Sequence, residues 1–387
     1  MKRLFILVAV LLSILTLAEV GVYKDKVVIG TFQALSGPYA VIGQEMSKGM
    51  NAYFNWVNRN GGVYERKIEL IIADDQLNPS KTVVEVKRLV ESDKVFAIVG
   101  GLGSYGCLAV MDYLEQNRVP FVYQGAGTSL LVNPPKRYIF AVQPDYTFEG
   151  QLIAKFLVEN LNKKRIGIIY MSNDVGEEGR AAVKARLEKY KMKPVIEVGY
   201  NPLETDYSAL AINVLNANVD SIVIYGFITD TVRWIKTLRD YGISAPVVTT
   251  YANADPAFLT LGGKQVEGVY LTGWVPLATP DRPEFLRDYQ RAVAIFQETY
   301  PNQPMSSYAV AGFIAAEVFV QGLLRAGADL TREGLVQALE TFKNWDGILT
   351  KDITWGPNLR RGKSSMYFMK IEKGVFASVT DLMTLQD

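Results

Sequence analysis

Short runs rich in Val and Ile alternate with longer amphipathic segments along most of this 387-residue chain. In a first series we predict strands at residues 26–32, 67–73, 95–99 and 119–123, separated by helices at 42–60, 79–92 and 104–116. A second series has strands at 165–170, 194–198, 221–225 and 246–250, and helices at 148–160, 178–191, 207–217 and 231–241. Strands that alternate with full-length helices are joined by right-handed crossovers, which predicts an α/β protein with two parallel sheets.

The two series meet near residues 143–146, where we predict the boundary between two doubly wound lobes. The last third of the chain has a different order, with helices at 283–300, 306–326 and 331–342 before short strands at 352–354, 366–372 and 375–382. This order is best explained if the chain returns to the first lobe and ends on the second. We therefore predict a first lobe of residues 25–142 and 275–350 and a second lobe of residues 143–274 and 351–387, joined by a three-crossover hinge. Ligands of open α/β sheets bind beyond the carboxyl ends of the strands, so two facing lobes would share one cleft.

The first 18 residues predict an export signal. Lys2 and Arg3 precede an apolar run at residues 4–17, and Thr16 and Ala18 supply the small residues that a signal peptidase requires. A buried first helix is the alternative, but such a helix seldom begins directly behind two cations. We expect cleavage near Ala18 and a soluble periplasmic protein. No lipid anchor is expected, because no cysteine lies near the cleavage point.

The composition excludes several classes of function. The chain has no histidine, which removes Ser-His-Asp triads, histidine bases and histidine-ligated zinc. Its 41 Lys and Arg against 40 Asp and Glu leave no charge excess for nucleic acid. Cys107 is the single cysteine, so an internal disulfide and a cysteine-built metal site are excluded, and we expect a small buried hydrophobe there. We predict a protein that is not an enzyme and uses no cofactor or metal.

The segment Gly101-Leu-Gly-Ser104-Tyr-Gly106 matches the G-x-G-x-x-G pattern and joins a strand to a helix. It follows the third predicted strand rather than the first, and the next strand ends without the acidic residue that a ribose requires, which disfavours a nucleotide. Free N–H groups at a helix start bind a carboxylate as well as a phosphate. We predict that Ser104 contacts a ligand, the structural alternative being a tight turn with Ser104 as helix N-cap. A hydrolase nucleophile elbow is excluded, because Leu102 stands where the first glycine is required.

Other candidates follow strands of both series. The loop from Gln124 to Thr128 lets backbone approach a ligand, and a flexible loop is the alternative. In the second lobe, Phe227 and Tyr251 follow successive strands. Asp74-Asp75 lacks a second acidic cluster, so a solvated strand end or lobe contact is favoured over a metal site.

These segments resemble the Leu/Ile/Val-binding protein family, the type I periplasmic solute receptors of ABC importers. The resemblance extends through essentially the whole mature chain and rests on the order of several short motifs, namely Ser36-Gly37-Pro38 with Gly43, Asn60-Gly61-Gly62-Val63, Asp74-Asp75-Gln-Leu-Asn-Pro79, Asp206-Tyr207-Ser208-Ala209-Leu210 and Val266-Glu267-Gly268.

The resemblance implies a set of ligand-binding positions. The family holds the ligand carboxylate with a serine at a helix start and with the following loop, which match Ser104 and the residues Gly125, Ala126, Gly127 and Thr128. It also implies that Phe227 closes on the ligand and that Ile42 lines the pocket. Tyr308, an aromatic at a predicted helix end, completes the candidate set.

Several positions depart from the family pattern. Tyr251 stands where the family has the glutamate that pairs with the ligand ammonium, and Val175 replaces a tyrosine that hydrogen-bonds some ligands. The family's loop threonine aligns with Gly127, one residue before Thr128, and its lobe disulfide would join Leu77 and Gly103, so that bridge is absent. A buried ammonium requires a carboxylate partner. Either another acid substitutes, with Asp174, Asp230 and Asp255 in nearby loops, or the ligand is not a plain α-amino acid.

The leading hypothesis is a monomeric solute-binding protein that captures a branched-chain amino acid or related small carboxylate and delivers it to the permease of an ABC importer. A ligand-sensing module for a signalling partner, or a nucleotide-dependent enzyme using Gly101–Gly106, are the alternatives.

Overall fold

The computed structural model describes residues 19–275 and 283–385, so the predicted export signal lies outside the described residues. The first sheet is entirely parallel, with strand order β2-β1-β3-β4-β5. Its strands are β1 (Lys26–Gln33), β2 (Lys67–Asp74), β3 (Ile98–Leu102), β4 (Phe121–Gly125) and β5 (Ile139–Phe140). Seven of the eight residues of β1 are buried, as expected for a central parallel strand covered on both faces.

The second sheet has seven strands in the order β14-β13-β10-β9-β8-β6-β7. They are β6 (Ile166–Met171), β7 (Ile196–Tyr200), β8 (Ser221–Tyr225), β9 (Val247–Thr249), β10 (Tyr270–Gly273), β13 (Tyr367–Glu372) and β14 (Val375–Ser378). Strands β11 (Ile353–Gly356) and β12 (Leu359–Lys363), which lie between β10 and β13 in the sequence, form a separate two-stranded sheet. Strands β6 to β10 are parallel, whereas β13 and β14 pair antiparallel. The prediction of two parallel sheets is confirmed for the first sheet and for strands β6 to β10 of the second, which is mixed because β13 and β14 pair antiparallel at its edge.

Helices connect and cover the strands. They are α1 (Ala40–Arg59), α2 (Pro79–Glu91), α3 (Ser104–Gln116), α4 (Tyr146–Lys155), α5 (Asp174–Lys189), α6 (Ser208–Asn216), α7 (Ile228–Asp240), α8 (Pro256–Gly262), α9 (Pro283–Gln297), α10 (Ser307–Ala326) and α11 (Arg332–Leu339). Local sequence explains several helix starts. Pro79 occupies the first turn of α2, where its missing N–H is not required, and the Asn78 side chain accepts hydrogen bonds from two backbone N–H groups.

The first lobe has a tightly packed core between α1 and α10. A Cβ atom on Gly49 would lie 1.9 Å from the Ala309 carbonyl oxygen, and one on Gly312 would lie 1.9 Å from the Met46 carbonyl oxygen. Glycine is therefore required on both helices for this close approach. By length and composition, α10 is the one described helix apolar enough to cross a membrane, but 72% of that stretch is buried inside the protein, as in a core helix.

The chain crosses between the sheets three times, between β5 and α4, between β10 and α9, and between β12 and β13. Strand β12 contacts the first crossing directly: the Ala141 N–H donates to the Arg360 carbonyl at 2.9 Å, and the Lys363 N–H donates to the Val142 carbonyl at 3.2 Å. The division of the chain into lobes stays a prediction. These contacts favour a last crossing nearer residue 364 than the predicted residue 351.

The structure adds elements that the sequence patterns did not predict, namely β5, β10, β12 and α8. Strand β5 has two residues and β10 has four, which is too short for a periodic pattern to emerge. Cys107 is fully buried, as predicted, and its thiol lies 3.7 Å from the Gly101 carbonyl oxygen.

Candidate ligand-binding cleft

The start of α3 forms the centre of the first lobe's cleft edge. Gly103, with φ of 92°, holds the N-cap position, and Ser104 is the first helical residue, so the alternative in which Ser104 caps the helix is wrong. The Gly103 N–H donates to the Gly125 carbonyl at 3.1 Å, which ties the turn to the next loop. Within residues 19–275 and 283–385, the Ser104 hydroxyl has no hydrogen-bond partner, and it is half-buried. Ser104 is therefore available to a ligand.

Leu77 fills the space beside Gly103. A Cβ atom on Gly103 would lie 2.6 Å from the Leu77 Cδ1 atom. The two positions that the resemblance assigns to a disulfide are thus neighbours here, joined by apolar contact instead of a bond.

The loop after β4 is held in place by the second lobe. The Gly127 carbonyl accepts a hydrogen bond from the Tyr146 N–H at 2.6 Å. A Cβ atom on Gly127 would lie 2.5 Å from the Tyr146 ring and 2.7 Å from the Tyr251 hydroxyl. The Thr128 hydroxyl accepts from the Leu130 N–H at 3.4 Å. These contacts pin the loop, contrary to the alternative of a flexible segment.

Asp74 shapes the loop that follows β1. Its carboxylate accepts hydrogen bonds from the Leu35 N–H at 2.9 Å and from the Ser36 hydroxyl at 2.6 Å. Desolvation opposes ionisation of Asp74, but these hydrogen bonds prevail and lower its pKa. Ile42 lies half-buried in the first turn of α1, directly after this loop.

Asp75 is fully buried and accepts hydrogen bonds from the Thr82 hydroxyl at 2.6 Å and the Leu77 N–H at 2.9 Å. Among the residues that the structure describes, no group of three acidic or cysteine side chains is placed to hold a metal ion. Both Asp74 and Asp75 therefore hold backbone at the strand end.

Tyr251 lies at the junction between the lobes. Its hydroxyl donates to the Pro144 carbonyl and accepts from the Gln143 Nε2 atom, each at 3.2 Å. Its ring stacks on Tyr146 with centroids 6.5 Å apart. The Tyr123 hydroxyl, from the middle of β4, donates to the Gln143 Oε1 atom at 3.2 Å. Gln143 thus links a tyrosine of each lobe across the first crossing.

Glu149, on α4, is the buried centre of the second lobe's cleft edge. It accepts hydrogen bonds from the Tyr225 hydroxyl and the Thr250 hydroxyl at 2.9 Å, from the Tyr251 N–H at 2.8 Å, and from the Thr272 hydroxyl. These donors come from the ends of β8, β9 and β10. Burial raises the pKa of Glu149, although all four hydrogen bonds favour its charged form.

The three acids that were candidates for an ammonium partner differ in their surroundings. Asp230 is buried and accepts a hydrogen bond from the Tyr200 hydroxyl. Asp255 accepts from the Ala257 N–H at 2.8 Å and from the hydroxyl of Ser307, at the start of α10 in the first lobe. Asp174 is half-buried and makes no hydrogen bond or ion pair within the described part of the chain.

The remaining predicted residues line the second lobe and the start of α10. Phe227 begins α7 with 43% of its surface exposed, and Val175 is 7% exposed in the first turn of α5. Tyr308 follows Ser307, and burial together with the Asp255 charge raises its pKa to about 12.

The sequence patterns missed Gln143, Tyr146 and Glu149. Some of their partners lie far along the chain, since Thr250, which donates to Glu149, is 101 positions beyond it. The one available signal was the change of pattern at 143–146, which marked the boundary but not its hydrogen bonds.

Comparisons with known proteins place this geometry in a family. The model of the periplasmic binding protein family matches residues 26–375. A Leu/Ile/Val-binding protein of Rhizobium johnstonii is 24% identical over 362 residues, which cover 93% of this chain and 95% of that protein. An amino acid binding protein of Pseudomonas aeruginosa is 25% identical over 325 residues, covering 83% of this chain and 86% of that protein.

Solved structures share the fold. A branched-chain amino acid ABC transporter structure from Thermus thermophilus with bound valine superposes with a TM-score of 0.83 at 17% identity, covering 94% of this chain and 97% of that chain. A fatty acid ABC transporter substrate-binding protein from Thermomonospora curvata has a TM-score of 0.79 at 23% identity, covering 95% and 94%. These two chains differ in the ligand that they are described with, so the shared fold does not select one. With two doubly wound lobes, a three-crossover hinge and a family match over nearly its whole length, this chain belongs to the periplasmic binding protein family.

Proposed function

We propose that this chain is the extracytoplasmic solute-binding protein of an ABC importer, which closes two lobes over a branched-chain amino acid or a related small carboxylate. The observation that carries the proposal is the start of α3. There the Ser104 hydroxyl, which has no partner in the described part of the chain, and the N–H groups of a helix start lie at the edge where the parallel strands end.

The first lobe binds the ligand carboxylate in this proposal. Ser104 donates its hydroxyl, and the backbone of the loop from Gly125 to Thr128, including Ala126 and Gly127, forms the adjacent wall. The helix dipole of α3 favours negative charge at this end. No cationic side chain is needed for this recognition, and the two loops carry none.

The second lobe completes the site on closure. On that lobe Phe227 is exposed enough to pack on a ligand and Val175 supplies further apolar surface, while Ile42 and Tyr308 contribute apolar and aromatic surface from the first lobe. Tyr251 lines the floor of the cleft, where its hydroxyl is already bonded to the hinge backbone. A ligand that touches both lobes stabilises the closed form by its differential affinity for that form.

Export and delivery complete the proposal. Cleavage near Ala18 would release the mature chain into the periplasm as a monomer, where its closed form docks on the permease subunits of the importer. The relatives' descriptions as amino acid or ABC transporter binding proteins support this role.

A thermal-shift screen of the purified mature chain tests the proposal. Leu, Ile and Val come first, followed by amides, short-chain carboxylates, aromatic acids and fatty acids. A ligand present at 100 times its Kd raises the stability of the folded state by about 2.7 kcal/mol, which a melting curve detects. We expect a shift with at least one small carboxylate. A shift only with a nucleotide, or with none of these compounds, would reject the proposal.

A further inference from the structure

One face of α5 is directed at the ligand-binding loop of the first lobe. Glu178 on this face accepts hydrogen bonds from the Ser129 N–H at 2.7 Å and from the Thr147 hydroxyl at 2.9 Å. Ser129 directly follows Thr128, so Glu178 bridges the second lobe to the end of the loop.

Asp174 lies one turn before Glu178 on the same helix face, because residues four apart on a helix are neighbours. It is also the first residue of α5, directly beyond the carboxyl end of β6, and so lies nearer to the cleft than Glu178 does. The Asn173 side chain caps the helix by accepting from the Gly176 N–H at 3.1 Å, which leaves the Asp174 carboxylate without a capping role.

The electrostatic surroundings of Tyr146 are a second indication that Asp174 lies near the ligand-binding loop. Burial raises the pKa of the Tyr146 hydroxyl, and the negative charges of Glu149, Asp174 and Glu178 add to the effect. Asp174 is therefore close enough to Tyr146 to act on it. The Tyr146 ring in turn lies against Gly127, in the middle of the ligand-binding loop.

The other carboxylates on this edge of the second lobe already accept hydrogen bonds from groups of the protein. Glu149 accepts four hydrogen bonds, and Glu178 accepts two. Asp230 is bonded to Tyr200, and Asp255 is bonded to Ser307 and to the Ala257 N–H. Among the described acids at this edge, Asp174 alone retains its full capacity to accept a hydrogen bond from a ligand.

We propose that the Asp174 carboxylate binds a cationic group of the ligand, and so selects an amine-bearing carboxylate over a plain carboxylate. The inference rests on the proposed function, because it assigns the opposite charges of one ligand to the two lobes. Ser104 and α3 receive the carboxylate, and Asp174 receives the ammonium. Closure then places the two charged ends between complementary groups, which makes the charge of the ligand part of the closing force.

Calorimetry with two compounds of the same carbon skeleton tests this assignment. L-leucine carries the ammonium group, and 4-methylpentanoate lacks it. The variants are Asp174→Asn, which keeps the shape and removes the charge, and Glu177→Gln as the matched control. Glu177 lies in the same first turn but is bonded to Arg180, at 2.9 Å.

We expect the wild-type protein to bind L-leucine at least tenfold more tightly than 4-methylpentanoate. Asp174→Asn should lose this preference by weakening L-leucine binding alone, and Glu177→Gln should keep it. Equal binding of the two compounds by wild type, or an unchanged preference in Asp174→Asn, would overturn the role of Asp174 while leaving the solute-binding function intact. Binding of neither compound would reject the branched-chain ligand class, and the inference with it.

Discussion

The two cleft edges offer a ligand different kinds of groups. On the first lobe, the edge consists of a helix start, glycine-rich loop backbone and the Ser104 hydroxyl, which bonds none of the residues that the structure describes. On the second lobe, the strand ends β8, β9 and β10 direct their polar groups into the protein, onto the buried carboxylate of Glu149. The first edge therefore leaves donors for a ligand, whereas the second uses its donors to hold its own strands together.

In the proposed function this difference gives the lobes separate tasks. The free donors of the first edge receive the carboxylate of the ligand, and the internally bonded second edge keeps its shape when the lobes move. Phe227 and Asp174, both at helix starts of the second lobe, add contacts to the ligand in that proposal. Tyr146, Gln143 and Tyr251 lie between the two edges.

Replacing Glu149 with leucine should have the largest effect on this arrangement. The change leaves the Thr250 and Thr272 hydroxyls and the Tyr251 N–H without this acceptor, and leaves the Tyr225 hydroxyl with only the Tyr146 carbonyl at 3.4 Å. The cost is on the order of 3–5 kcal/mol in the free energy of unfolding. Urea denaturation of the purified protein measures this loss. Glu149→Gln keeps one acceptor oxygen and should lose less. A loss below about 1 kcal/mol for Glu149→Leu would contradict the view that this carboxylate holds the second edge together.

Glu317 on α10, in the first lobe, is a buried carboxyl that is less fully hydrogen-bonded than Glu149. Its Oε1 atom accepts from the Ile348 N–H at 2.6 Å, whereas its Oε2 atom is buried with no partner in the described residues. Burial raises its pKa from 4.5 to about 7. Between these values the unfolded chain releases a proton that the folded chain keeps, so stability falls as pH rises from about 4.5 to about 7.

The variant Glu317→Gln should remove this penalty. It should be more stable than wild type by about 3 kcal/mol at pH 8, with the advantage shrinking towards pH 4.5, because each pKa unit corresponds to about 1.4 kcal/mol. Thermal unfolding at a series of pH values measures the difference. Glu298→Gln is the matched control, since the Glu298 side chain is 49% exposed and paired with Arg59. A pH-independent difference for Glu317→Gln would show that the carboxyl ionises normally.

Removing the Ser104 hydroxyl tests whether the first lobe's edge binds the ligand. Ser104→Ala should weaken binding of the cognate carboxylate by about 1–3 kcal/mol, through loss of one charge-assisted hydrogen bond. Its free energy of unfolding should stay unchanged, because the hydroxyl bonds no group of the described chain. Calorimetry and urea denaturation measure the two quantities, with Ser92→Ala, at the exposed C-terminal end of α2, as control. Unchanged affinity in Ser104→Ala would remove this residue from the site.

Gly127→Ala tests the contact between the two edges. The new methyl group would lie 2.5 Å from the Tyr146 ring and 2.7 Å from the Tyr251 hydroxyl, so the loop must move away from both tyrosines. We expect a loss of about 1–2 kcal/mol in stability, together with weaker ligand binding. In the control Gly356→Ala, the nearest atom lies 3.6 Å away, and neither quantity should change by a comparable amount. Wild-type behaviour of Gly127→Ala would mean that the loop is not pinned by the second lobe.

Local patterns predicted most of the framework and part of the site. Long strands such as β1 and capped helices such as α2 follow from buried apolar runs and from Asn78-Pro79, and they form where the sequence places them. The sequence also predicts a helix that starts at Ser104. It does not predict that Gly103 is the N-cap, because that position depends on the left-handed conformation that Gly103 adopts in the turn. Strands β5 and β10 escaped prediction, since their stability comes from neighbours rather than from their own residues.

The sequence by itself determined the alternating order of strands and helices, the absence of histidine chemistry and the glycine-rich turns at the strand ends. Only the tertiary structure decided that Glu149 accepts hydrogen bonds from three strand ends and that Tyr251 bonds the hinge. It also decided that Asp230 and Asp255 have hydrogen-bond partners, whereas Asp174 has none among the described residues. The physical reason is the distance along the chain between the residues that interact. Strand and helix formation depend on neighbours along the chain, whereas the hydrogen bonds to the buried Glu149 carboxylate depend on groups that meet only after α4 has packed on the second sheet.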